Sequence, residues 1–157
     1  MKHKIKWGKL ILCIIIPLAV GFLTSLLTRS NMHIYESLNK PPLAPPGTIF
    51  PIAWSILYVL MGIGSYLVLV QNDTMKKGAL VVYGLQLAVN FSWPLIFFNT
   101  ELYFLALLVL IILWLLVFVM IVAFLQVDVK AAWLQYPYLV WITYAAYLNL
   151  GIVILNI

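Results

Sequence analysis

Five long apolar stretches, none containing Asp, Glu, Lys, Arg or His, occupy most of this 157-residue chain. They run approximately over residues 10–28, 49–70, 79–98, 102–125 and 131–155. Each supplies the ~20 residues with which an α-helix crosses a hydrocarbon core of about 30 Å, and a helix satisfies its own backbone polar groups where no water can. The expected fold is all-α, an integral membrane bundle of five transmembrane helices forming one domain over residues 1–157. A water-soluble fold would lack polar surface. Hydrophobic residues make up 66% of the chain and charged ones 8%, against roughly 25% charged in soluble domains.

The formal net charge of +5 is a topology signal rather than a nucleic-acid footprint. Lys2, Lys4, Lys6, Lys9, Lys76, Lys77 and Lys130 fall on one side of the expected bundle, against Arg29 and Lys40 on the other. The positive-inside rule then puts the amino terminus in the cytoplasm and the carboxyl terminus outside, with the lipid bilayer and its anionic headgroups as the partner of the lysines. The first span reads as a retained helix, because it is long for a signal peptide and no small-x-small cleavage pattern precedes Arg29. Cys13, the one cysteine, lies inside it. No internal disulfide can form, and the residue is expected to act as a small apolar side chain.

The acids Glu36, Asp73, Glu101 and Asp128 all fall in connections. Ion-coupled transporters and proton pumps hold ionisable groups at membrane depth, so secondary active transport is disfavoured. Paired carboxylates and Ser-His-Asp sets are absent. The histidines are His3 in the tail and His33 in the first connection, so no metal site is expected and hydrolysis has no visible machinery.

The first connection carries Lys40-Pro41-Pro42-Leu43-Ala44-Pro45-Pro46-Gly47. Its four prolines fix φ near −65° and remove backbone donors, which predicts a stiff extended strap. Stiffness serves a spacer and a lid equally, and composition leaves both open. Among the aromatics, Trp7, Tyr103, Trp133 and Tyr136 sit at span ends, where interfacial rings are common. Others fall deeper at helical spacing: Trp54, Tyr58 and Met61; Gln86, Asn90 and Trp93; Pro137, Trp141 and Ala145, with Tyr144 beside them. Gln86 and Asn90 would be costly against lipid, so their face turns inward, either as helix-to-helix hydrogen bonds or as polar anchors in a cavity with Trp54 and Trp141. Such a cavity suits a flat, apolar, weakly polar ligand.

Taken together, Lys40-Pro41-Pro42, Pro45-Pro46-Gly47, Trp54-Ser55-Ile56-Leu57-Tyr58, Asn90-Phe91-Ser92-Trp93 with Phe97-Phe98, Pro137-Tyr138-Leu139-Val140-Trp141 and Ala145-Ala146-Tyr147-Leu148-Asn149 resemble the TspO/MBR family of tryptophan-rich membrane proteins. The resemblance spans nearly the whole chain. It implies a five-helix bundle, a homodimer, and a receptor or sensor binding protoporphyrin IX or a haem-type tetrapyrrole, with no obligatory cofactor. It also implies a light- and oxygen-dependent breakdown of porphyrin as an alternative activity, for which Trp141 and Trp54 would be the photochemical residues. The family's pocket residues map onto Trp54, Asn90, Trp93, Trp141 and Ala145, to which the helical rows add Tyr58, Gln86 and Tyr144. Its lid maps onto Pro41, Pro42, Pro45 and Pro46, and its bacterial members imply a cytoplasmic membrane. Leu43 stands where many relatives carry tryptophan, and no basic residue follows Lys130 to complete a carboxyl-terminal sterol pattern.

Overall fold

A computed structural model describes residues 4–157, so Lys2 and His3 lie outside the described residues. Among those described, the fold is all-helical. Its long helices are α1 (Trp7–Thr28), α3 (Ile49–Leu69), α4 (Lys76–Pro94), α5 (Tyr103–Val127) and α7 (Tyr136–Leu155), with short α2 (Ile34–Ser37) in the first connection and α6 (Val129–Trp133) before α7. Five segments, Trp7–Asn31, Ile49–Leu69, Lys76–Asn99, Tyr103–Val127 and Val129–Leu155, are long and apolar enough to cross a membrane.

Three departures from uninterrupted spans have local causes. The last span is broken because Pro137 has no N–H to donate to the carbonyl of Trp133, where α6 ends. Asp128, in extended conformation, starts α6 by accepting a hydrogen bond from the Ala131 amide at 2.9 Å, as an N-cap does. The third span continues past Pro94 into a π turn over Leu95–Asn99. That wider turn lets the consecutive rings of Phe97 and Phe98 both be buried. The first connection, expected as one extended strap, instead contains a 3₁₀ turn (Arg29–Asn31), α2, and two tight turns closed by Ala44 N–H to Pro41 O at 3.3 Å and Ile49 N–H to Pro46 O at 3.0 Å. Its prolines set stiff corners, not a straight rod.

The connections alternate between two faces. The second and fourth meet where Gln71 Nε2 donates to Asp128 Oδ2 at 2.7 Å, on the face bearing the amino terminus. The first, the third and the carboxyl terminus share the opposite face. There Asn31 Nδ2 donates to Asn99 Oδ1 at 3.0 Å, and Asn39 N–H donates to Asn156 Oδ1 at 3.0 Å.

Helix α5 packs against α4 and α7, and α1 lies against α3. The α1–α3 crossing is tight because Pro17 leaves the Cys13 carbonyl without its usual donor, and that carbonyl abuts Gly62. A Cβ on Gly62 would stand 2.5 Å from Ile14 Cα and 2.7 Å from Cys13 O. Cys13 itself is buried.

Candidate functional site

Between α1, α3, α4 and α7, in the half nearer the first connection, lies a cavity of about 130 Å³. Helix α1 contributes Gly21, Thr24, Ser25 and Thr28; α3 contributes Phe50, Pro51, Trp54 and Tyr58; α4 and the π turn contribute Asn90, Trp93, Phe97 and Phe98; α7 contributes Ala145, Leu148, Asn149 and Ile152. Met32 and Tyr35 of the first connection close the top.

The floor is a hydrogen-bond chain. Tyr58 OH donates to Asn90 Oδ1 at 2.7 Å, Asn90 Nδ2 to Tyr138 OH at 2.8 Å, and Tyr138 OH to Gln86 Oε1 at 2.8 Å. All four side chains are buried. Satisfying every donor in the chain is what allows such polar groups at membrane depth. The back wall repeats the pattern: Trp93 Nε1 donates to Asn149 Oδ1 at 3.1 Å, and Asn149 Nδ2 donates to the Tyr103 carbonyl at 2.9 Å. Thr24 and Thr28 donate to their own helix, to the carbonyls of Val20 and Thr24, both at 2.9 Å. Most polar groups of the wall are thus bonded within the fold, with the Trp54 indole N–H and the Ser25 hydroxyl unbonded among the described residues, and the rest of the wall is aromatic and aliphatic.

The first connection is fastened over this half. Tyr144 OH donates to the Leu43 carbonyl, and Tyr147 OH to the Pro42 carbonyl at 2.7 Å. The Pro41 ring lies on Gly151, where a Cβ would come within 2.5 Å of it. Asn156 Nδ2 returns a bond to the Asn39 carbonyl at 2.9 Å. Tyr35 OH donates to the Pro45 carbonyl at 3.0 Å, and Lys40 Nζ donates to the Tyr35 carbonyl at 2.9 Å while standing 4.8 Å from the Tyr35 ring centre. Burial above all, then the neighbouring Tyr144 and Glu36, pushes the Tyr35 hydroxyl up to about 12. Leu43 sits at the corner with φ of 66°, in the left-handed region, and is 85% exposed.

The structure brings Trp54, Tyr58, Asn90, Trp93 and Ala145 together on the cavity wall. Gln86 lies one layer below, held in the floor chain with Nε2 4.0 Å from Met61 Sδ. Trp141 and Tyr144 are not on the wall. Trp141 stands behind Phe50, ring centres 6.0 Å apart, with a buried indole N–H that has no partner. Tyr144 fastens the strap. The expected α7 row through Pro137 and Trp141 is rotated off the true inward face, which carries Tyr138, Ile142, Ala145, Asn149 and Ile152. Tyr138 and Asn149, eleven residues apart on that face, are the polar residues the row missed; their polarity at span depth was the available signal. Pro41, Pro42, Pro45 and Pro46 lie in the strap. His33 is exposed, and among the described residues no group of His, Cys, Asp and Glu could hold a metal ion.

The fold is thus a five-helix membrane bundle with an apolar, aromatic cavity under a fastened loop. The TspO/MBR family model matches residues 13–155. The chain is 36% identical over 152 residues to the tryptophan-rich protein TspO of Chlorobaculum tepidum, covering 94% of this chain and 95% of that one. It is 40% identical over 124 residues to protein CrtK of Rhodobacter capsulatus, covering 78% of each. It is 39% identical over 139 residues to the translocator protein of Bos taurus, covering 86% of this chain and 82% of that one. The chain belongs to the TspO/MBR family, and the names of relatives such as the translocator protein and the tryptophan-rich sensory protein of Cereibacter sphaeroides, 39% identical over 122 residues, fit a membrane sensor or receptor.

Proposed function

We propose that this protein is a membrane receptor or sensor that holds a tetrapyrrole such as protoporphyrin IX, or a similarly flat apolar molecule, in the cavity beneath the first connection. One observation carries the reading: the cavity wall is built of rings, Tyr35, Phe50, Trp54, Tyr58, Trp93, Phe97 and Phe98, of whose polar groups all but the Trp54 indole N–H are bonded within the fold. Recognition by such a wall rests on shape and stacking. The setting is a cytoplasmic membrane with the amino terminus inside, where Lys4, Lys6, Lys9, Lys76, Lys77 and Lys130 meet anionic headgroups. A homodimer completes the assembly.

Ala145 separates binding from packing. It lines the cavity, so Ala145→Phe fills the ligand's place. Protoporphyrin quenching should fall at least about tenfold in affinity while the ligand-free melting temperature stays within a few degrees. Wild type that does not quench protoporphyrin fluorescence sinks the reading.

A second reading, conversion of bound porphyrin by light and oxygen, is favoured by the position of Trp54, an oxidisable indole directly on the wall. Trp141 sits one ring behind it, next to Phe50, so Trp54→Phe should cut light-driven product more than Trp141→Phe. Illumination in air with product absorbance followed beside fluorescence quenching tests it; binding without a new absorbing species eliminates conversion.

A further inference from the structure

We propose, resting on the reading of the cavity as a binding site, that its ligands arrive already dissolved in the bilayer and pass between α1 and α3, rather than from water beneath the strap. A second hollow of about 400 Å³ lies along the α1–α3 seam. It shares Gly21, Ser25, Pro51, Trp54 and Tyr58 with the inner cavity and adds Leu18, Phe22 and Ser55 on its outer side. Phe22 and Ser55 are exposed on the surface that faces lipid. The two hollows therefore adjoin along the residues they have in common.

The seam is shaped to open at this end. At the other end α1 is pinned to α3, where the Ile14 backbone and the Cys13 carbonyl close on Gly62. Nearer the strap, the close contact is a side chain: the Tyr58 ring lies on the bare backbone of Gly21, where any Cβ would collide with it. A swing of that ring gives up the Tyr58–Asn90 hydrogen bond but moves no backbone. Of the five spans, α1 is also the least buried.

The strap offers no comparable route. It is held by Tyr144, Tyr147, the Asn39–Asn156 pair and the Pro41–Gly151 contact, all of which would have to part. Size points the same way. At about 130 Å³ the inner cavity is below the usual 300–1,000 Å³ of small-molecule sites, so a macrocycle needs the seam hollow as well as the inner one. The chemistry agrees, because the apolar part of a molecule taken from lipid has already shed its water and asks no donor of a wall that has few to give.

The test is stopped-flow binding of protoporphyrin IX, and in parallel of uncharged pyrene, to the protein in lipid nanodiscs. Ser55 lines only the outer hollow, so Ser55→Trp plugs the passage and leaves the inner wall intact. Association and dissociation rates of pyrene, the smaller probe, should both fall about tenfold with affinity unchanged within about twofold, the signature of a blocked path rather than a damaged site; protoporphyrin, which extends into the seam hollow, should lose affinity as well. Phe22→Ala, which widens the outer hollow, should raise both rates. Gly151→Ala, which lifts Pro41 from α7, should change neither. Faster exchange in Gly151→Ala, with Ser55→Trp and Phe22→Ala at wild-type rates, overturns the proposal. If pyrene follows this pattern and protoporphyrin does not bind, the tetrapyrrole reading fails and the passage stands; if neither binds wild type, the passage falls with the site.

Discussion

The two halves of the bundle are built on opposite rules. In the half bearing the amino terminus, Val68, Val117, Met120, Phe124, Ala131 and Ala132 are fully buried, and glycines let helices meet backbone to backbone or, at Gly64, let Gln135 press against α3. In the half under the strap, α3 and α7 are bridged by rings, Phe50 to Trp141 at 6.0 Å and Trp54 to Tyr138 at 5.9 Å, and a cavity remains between them and α1. The Tyr58–Asn90–Tyr138–Gln86 chain lies at the boundary. Close packing is concentrated on one side of that chain and open space on the other, so each can be altered with limited cost to the other.

Gly62→Val should break the solid half hardest. Its nearest neighbours are backbone atoms that cannot step aside, so α1 must move off α3 at a cost of about 3 kcal/mol. Gly84, with nothing within 4 Å of its missing Cβ, should accept valine with almost no change. Denaturation in detergent compares the two. Equal losses for Gly62→Val and for Ala145→Phe in the hollow half would dissolve the contrast between the halves.

Next in size is the boundary. Asn90→Leu removes the acceptor of Tyr58 OH while Tyr138 still donates to Gln86, leaving one buried hydroxyl unpaired and costing about 2 kcal/mol. Loss of porphyrin affinity with no loss of stability would place Asn90 in ligand contact alone.

The strap sharpens the comparison at a smaller scale. Tyr147→Phe deletes one hydrogen bond to the Pro42 carbonyl, worth about 1 kcal/mol, and limited proteolysis within residues 38–47 should speed up roughly fivefold. Leu43→Gly should act in the other direction. A left-handed non-glycine residue costs about 1–2 kcal/mol, and glycine's extra freedom in the unfolded chain returns part of that, for a net gain near 0.5 kcal/mol. Slower proteolysis is the expected result, and faster proteolysis would mean that the Leu43 side chain itself holds the corner.

The smallest effect is in pH. Tyr35 is raised from an ordinary value of 10.0 to about 12, chiefly by burial. Because the folded value is the higher one, its contribution to strap docking is complete below pH 10 and is lost as pH rises toward 12. The tyrosinate absorbance lost in Tyr35→Phe should accordingly titrate near 12. A midpoint at 10 would mean that the ring is in water and the strap undocked.

Much of this arrangement is legible in the residues. Span number follows from stretches without charge, because no soluble fold can hide so much apolar surface and no membrane tolerates unpaired charge. Asn90 and Gln86 are legible as inward-facing for the same reason. The expectation went astray where a rotation of one residue matters: α7 begins after Pro137 breaks the ladder at Trp133, which resets the helix and turns Tyr138 rather than Trp141 toward Asn90. The bent strap was missed because proline fixes φ and leaves ψ to be set by contacts with α7.

Sequence by itself determined the number of spans, their alternation between two faces, the inward set on α4 and the family, since these depend on transfer energies and motif order that each segment carries alone. Only the tertiary structure decided which rings bound the cavity, that Gln86 lies beneath it, that Tyr144 grips the strap, and that a second hollow opens between α1 and α3. Those outcomes depend on how helices rotate and approach one another. A helix's own periodicity leaves its rotation open to within a residue, and the packing of its neighbours closes that choice.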